Sequence, residues 1–139
     1  MAVSAPSEPR PPLVFVVDGD GAVRRSLWFA LGIEGFQVDT FADAEAFLKL
    51  AECRPGACIV VDYRLKGMSG LELIQSMRRR DCPIPAILTV TNPSPALARQ
   101  AEAAGVALVE KPLLGPALLD RIREALAGDL PPDDPGAPA

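Results

Sequence analysis

The chain has 139 residues, a formal net charge of −4, three cysteines and no histidine. Its length suits one domain with a real core. The lack of histidine excludes Ser-His-Asp and Cys-His nucleophiles and His-ligated zinc, and a sequence pI near 4.8 argues against the broad basic surface of a non-specific nucleic-acid binder. The longest apolar runs are strand-sized and the N-terminus lacks the basic-then-apolar layout of a signal peptide, so a cytoplasmic protein with no membrane segment is expected. Cys53, Cys58 and Cys82 lack Cys-x-x-Cys spacing and are odd in number, which makes reduced thiols the expectation.

Residues 1–12, rich in Pro and Ser and without periodicity, read as a mobile arm. Leu13-Val14-Phe15-Val16-Val17 is a continuous apolar run ending in Asp18-Gly19-Asp20, as a central strand with acids at its tip would. From Ala22, the apolar positions Val23, Leu27, Ala30 and Leu31 recur at helical spacing, with Arg24 and Arg25 outward, until Gly32 and Gly35 break the pattern. Phe36 to Phe41 alternates apolar and polar, as an edge strand does. Asp43 then caps a helix carrying Ala44, Phe47, Leu48 and Ala51, which Arg54-Pro55-Gly56 ends.

Ala57-Cys58-Ile59-Val60-Val61 is unbroken, apolar and rich in β-branched residues, the pattern of a strand buried on both faces in a parallel sheet. Asp62 stands where it runs out. A carboxylate there points into the crevice where open α/β sheets bind ligands; a plain turn cap is the competing reading. After the loop Tyr63 to Gly70, Leu71, Leu73, Ile74 and Met77 suit a helix. Arg78-Arg79-Arg80 at its end complement the helix dipole rather than mark a nucleic-acid site. Ala86 to Thr91 reads as a fourth strand, followed by a turn in which Ser94 caps and Pro95 opens an alanine-rich helix that closes at Gly105. A fifth run, Val106 to Val109, leads to Glu110-Lys111-Pro112, and a last helix carries Leu118, Leu119, Ile122 and Leu126. The domain is thus expected over 13–128, with residues 129–139 a disordered tail and no output domain after it.

Strands alternating with helices and joined by short loops predict a doubly wound parallel sheet with helices on both faces. With right-handed crossovers, a flavodoxin-like strand order 2-1-3-4-5 sets the first and third strands side by side, so that Asp18 and Asp62 meet.

Val16-Val17-Asp18, Val60-Val61-Asp62-Tyr63-Arg64-Leu65 with Met68-Ser69-Gly70, and Glu110-Lys111-Pro112 resemble, in order and spacing, the receiver domain of two-component response regulators, over roughly Leu13 to Leu126. The resemblance implies a signalling switch rather than an enzyme. Asp62 would accept a phosphoryl group from a sensor histidine kinase, Lys111 would ion-pair with the phosphate, and the Lys111-Pro112 bond would be cis. Mg²⁺ is the implied cofactor, with Asp18, Asp62, the Arg64 carbonyl and Asp20 as candidate ligands. These roles agree with the chemistry, since a carboxylate attacks phosphorus only where cations and fixed donors meet the gathering negative charge.

Several positions depart from the family pattern. Gly19 stands where a second acid is usual, and Asp20 comes one residue later. Val90 falls where strand four usually ends in Ser or Thr, flanked by Thr89 and Thr91; Leu108 replaces an aromatic, and Lys66 a proline. Weak Mg²⁺ binding and a lysine-bridged apo site are the expectations. Two functions follow: a phosphorylatable switch acting through protein contacts on the face of helix four, strand five and helix five, or a phosphorylation-independent interaction or dimerisation module using the same face. A flavodoxin-like redox protein is a third, more distant reading, since the loops lack a flavin phosphate cradle.

Overall fold

In the computed structural model, the unbroken apolar runs become strands and the 3.6-periodic segments become helices. The elements are β1 (Leu13–Val17), α1 (Gly21–Ile33), β2 (Gln37–Phe41), α2 (Ala44–Leu50), β3 (Ala57–Asp62), α3 (Gly70–Arg79), β4 (Ala86–Val90), α4 (Pro95–Ala103), β5 (Ala107–Glu110) and α5 (Ala117–Gly128). The structure describes residues 11–113 and 115–128. The expected tail and all but the end of the expected arm lie outside the described residues.

The sheet runs β2-β1-β3-β4-β5, with every pair parallel. This is the expected order, and it is what makes β1 and β3 continuous in hydrophobicity. Both are covered on both faces, and every residue of β1 and all but the last of β3 is buried. Residues of odd and even position along each strand divide between two cores. Phe15, Val17, Ile59, Val61 and Leu88 pack against Phe47, Leu73, Ile74 and Met77 on one side, where Phe47 meets Phe15 edge-on at 5.3 Å. On the other side Val14, Val16, Val60 and Ile87 pack against Leu27, Leu31 and Ile122. Each fully buried aliphatic or aromatic side chain contributes about 1.5–3 kcal/mol relative to an exposed one. The registers Val17↔Val61, Asp62↔Thr89 and Val90↔Glu110 bring the carboxyl ends of β1, β3, β4 and β5 to one edge.

The predicted caps Asp43 and Ser94 are present, each accepting a backbone N–H at the start of α2 and α4, and Asp20, expected only as an acid at the strand tip, caps α1 in the same way. Three expectations are corrected. Cys53 and Cys82 form a disulfide with Cα atoms 5.7 Å apart, because the α2–β3 and α3–β4 loops lie side by side at the amino edge of the sheet, a proximity that sequence spacing does not record. Arg24 does not point outward but is half-buried and donates to the Asp18 carbonyl at 2.7 Å. Ala30 is exposed, leaving Leu27 and Leu31 as the buried residues of α1.

Candidate functional site

Asp18, Asp62 and Lys111 each stand two positions beyond a strand residue of the α1/α5 core, namely Val16, Val60 and Val109. Alternation along the strands therefore aims all three side chains to the same side of the sheet edge. There the Lys111 Nζ lies 2.9 Å from Asp18 Oδ2 and 3.2 Å from Asp62 Oδ1, bridging two carboxylates that neighbouring strands deliver from distant parts of the sequence.

Each member is held by its backbone. Asp18, 3 % exposed, accepts the Asp20 N–H on Oδ1 at 2.8 Å, and its own N–H donates to Phe41 O at 3.1 Å. Lys111 donates its N–H to Val90 O at 2.8 Å, and the Lys111-Pro112 bond is cis. Behind Asp62, the Tyr63 N–H donates to Thr89 O and the Gly70 N–H to Tyr63 O, both at 2.8 Å. Gly70 is the first residue of α3, whose capping box pairs Ser69 with Glu72. A Cβ at Gly70 would collide with the Asp62 carbonyl oxygen and come within 2.9 Å of Leu88 Cδ1. Only glycine lets α3 begin against the Asp62 backbone.

Burial, and then the charge of Asp18, raise the Asp62 pKa above its ordinary carboxylate value, while Lys111 and a backbone hydrogen bond from Arg64 oppose the rise. Burial alone would lower the Lys111 pKa, but the hydrogen bond and charge of Asp18, reinforced by Asp62, outweigh it and hold that pKa above the ordinary ammonium value. The ammonium is therefore firmly charged and is the cation of the resting site.

Two convergent, largely buried carboxylates are donors suited to a hard divalent cation, and Mg²⁺ commonly binds through one or two carboxylates while keeping several waters. The donor set fits Mg²⁺ in kind but is sparse. Asp20 spends its carboxylate accepting the Ala22 N–H at 2.9 Å as the cap of α1, and Gly19 has no side chain. Among the described residues, no group of three acidic, His or Cys side chains gathers to hold a metal.

Of the residues expected near the phosphate, Val90 is buried in the core with Leu88, and Leu108 is half-buried against the same core. Thr89 is buried opposite Asp62 in register. Thr91 is exposed and lines, with Asp20, Lys111, Pro112 and α1 residues Val23 and Ser26, a cleft beside the site. Arg24 was missed as a support of Asp18, and nothing in its helical pattern marks it. The Ser69-Gly70-Leu71-Glu72 capping signature, by contrast, is readable.

A family model described as "Response regulator receiver domain" matches residues 14–123. The chain is 35 % identical over 114 residues to the transcriptional regulatory protein FixJ of Bradyrhizobium diazoefficiens, covering 81 % of this chain and 56 % of FixJ. It is 36 % identical over 116 residues to the C4-dicarboxylate transport transcriptional regulatory protein DctD of Pseudomonas aeruginosa, covering 81 % of this chain and 25 % of DctD. Among solved structures, full-length FixJ from B. japonicum superposes with a TM-score of 0.78 at 34 % identity, over 87 % of this chain and 60 % of that one. An isolated FixJ-N superposes with a TM-score of 0.75 at 31 % identity, over 88 % of this chain and 98 % of that one. The chain thus spans about half the length of FixJ and a quarter of DctD. Among the described residues, no helix is long and apolar enough to cross a membrane.

Proposed function

Since the chain belongs to the response regulator receiver domain family, we propose that it is a phosphorylatable switch of a two-component system, with Asp62 accepting a phosphoryl group from the phosphohistidine of a sensor histidine kinase. The single observation that carries the reading is the Lys111 bridge between Asp62 and Asp18, which puts a nucleophile and a charged partner together at the carboxyl edge of a doubly wound sheet.

In this mechanism a carboxylate oxygen of Asp62 attacks phosphorus, the phosphorus–nitrogen bond of the donor breaks, and an acyl phosphate forms. The backbone of Tyr63 and Gly70, pinned to Thr89 and to each other, keeps the nucleophile in place. Lys111 is already desolvated and charged at the site, so its ammonium can follow the growing negative charge from the carboxylate to the phosphoryl oxygens at little reorganisation cost. Mg²⁺, which Asp18, Asp62 and the Arg64 carbonyl would hold, supplies further charge neutralisation when bound. Thr91, in the cleft onto which Lys111 opens, is the hydroxyl available to the phosphoryl group in place of Val90. Output would pass through protein contacts on the face of α4, β5 and α5, with a downstream protein or a second copy as partner. Ala96, Ala98 and Ala103 are exposed there, whereas Ala101 turns into the core.

The alternative, a phosphorylation-independent module using the same face, is favoured by the burial of Val90 in the core. Facing the core, Val90 carries no hydroxyl of its own to couple the site to the sheet. Labelling by a small-molecule phosphodonor in Mg²⁺ separates the two readings: an adduct lost in Asp62→Asn supports the switch, and no adduct supports the module.

A further inference from the structure

The Cys53–Cys82 bond closes a loop of sequence separation 29. That loop contains all of β3, the turn behind Asp62 and all of α3. α3, about 15 Å long by its ten residues, touches the bond at one end and the site at the other. At its carboxyl end the Cys82 N–H donates to Met77 O at 3.0 Å and the Arg80 N–H to the same oxygen at 2.9 Å. Between them Asp81 takes the left-handed conformation at φ 60°, which an L residue with a Cβ adopts at some cost. The disulfide holds the chain just past this turn. At its amino end α3 begins on the Asp62 carbonyl, through Gly70.

We propose that Cys53 and Cys82 are a redox-responsive staple whose oxidation, acting through α3, sets how firmly the backbone carrying Asp62 is held. Cys53 is exposed and Cys82 is buried, which orders the chemistry. The Cys53 thiolate attacks a small-molecule disulfide such as oxidised glutathione, releasing one reduced thiol and leaving a mixed disulfide. The Cys82 thiolate then displaces the second thiol. Two protein thiols lose two protons and two electrons, and one glutathione disulfide becomes two glutathiones. A thiol reductant reverses the exchange. The consequence follows from chain entropy: the cross-link restricts the unfolded state of a loop that includes β3 and α3, and its loss frees the Asp81 turn.

The test uses the full chain, oxidised with glutathione disulfide or reduced with dithiothreitol, with Cys53→Ser as the variant that cannot form the bond. Denaturing alkylation with mass measurement should find two fewer reactive thiols in the oxidised protein. Reduction should lower the thermal midpoint of the wild type by about 10 °C and leave Cys53→Ser unmoved. Hydrogen exchange should quicken at the Cys82 amide and, about tenfold, at the Gly70 amide. Equal alkylation of the oxidised and reduced proteins would overturn the proposal. So would a midpoint indifferent to reductant, or a Gly70 amide unchanged when the Cys82 amide quickens. None of these readouts depends on phosphorylation.

Discussion

The ammonium of Lys111 rests on Asp18 Oδ2 at 2.9 Å, with the Asp18 side chain 5 % and the Lys111 side chain 20 % exposed. A contact so withdrawn from water is poorly screened, and Lys111 also neutralises Asp62. Lys111→Met should therefore leave two facing carboxylates without a cation and destabilise the fold by about 3 kcal/mol at neutral pH, with the loss shrinking in acid as the carboxylates take up protons. Urea denaturation at neutral and acidic pH measures this, and a variant as stable as the wild type at neutral pH would mean that the bridge does not neutralise the pocket.

Asp62 should show the opposite sign. Its pKa is raised by burial and by Asp18 in spite of Lys111, so the folded chain holds this proton more tightly than the unfolded chain. Its contribution to stability is full below the ordinary carboxylate value of 3.8 and is lost as pH rises through the higher folded value. Asp62→Asn, uncharged throughout, should be more stable than the wild type at neutral pH, and the gap should close as pH falls below the ordinary value. Thermal melts across the acid range would show it; an Asp62→Asn variant less stable than the wild type at neutral pH would contradict it.

Gly19 leaves room for the acid that the pocket lacks. A Cβ there meets nothing nearer than the Ala42 carbonyl oxygen, at 3.9 Å, and a third carboxylate would add an anionic ligand for a hard cation. Gly19→Asp is expected to tighten Mg²⁺ binding about tenfold, as read by calorimetry. Equal affinity in the two proteins would mean that Asp20 gives up its cap to serve as the ligand.

Gly70→Ala should cost about 2 kcal/mol, because the methyl group must push α3 away from the Asp62 carbonyl and from Leu88. Chemical denaturation gives the cost. Full stability would show that the start of α3 has slack the packing does not suggest.

The central strands were legible for a physical reason. Residues of β1 and β3 are covered on both faces, so hydrophobicity runs on without alternation, and the acids at the ends of these runs stand out. Asp18 and Asp62 follow from strand ends plus topology. Lys111, distant in sequence, was marked by the resemblance of Glu110-Lys111-Pro112 to the receiver family, and its place just past the end of β5 brings it to the two acids. What depends on tertiary distance was not legible. Cys53 and Cys82 meet only because two loops share an edge of the sheet. Arg24 looks like an outward residue on a helical wheel, yet a long flexible side chain can turn back to the Asp18 carbonyl. Alternation carries Thr91 towards the face that holds Lys111, and Val90 into the opposite core, a distinction of one residue that sequence counting left open.

The most direct test of the account is intact mass measurement of the wild type and Asp62→Asn after incubation with a small phosphodonor across a range of Mg²⁺ concentrations. The account predicts one phosphoryl adduct on the wild type, growing with Mg²⁺ and removed by hydroxylamine as an acyl phosphate is, and none on Asp62→Asn. A wild type that stays unlabelled at every Mg²⁺ concentration, or an adduct that persists in Asp62→Asn, would contradict it.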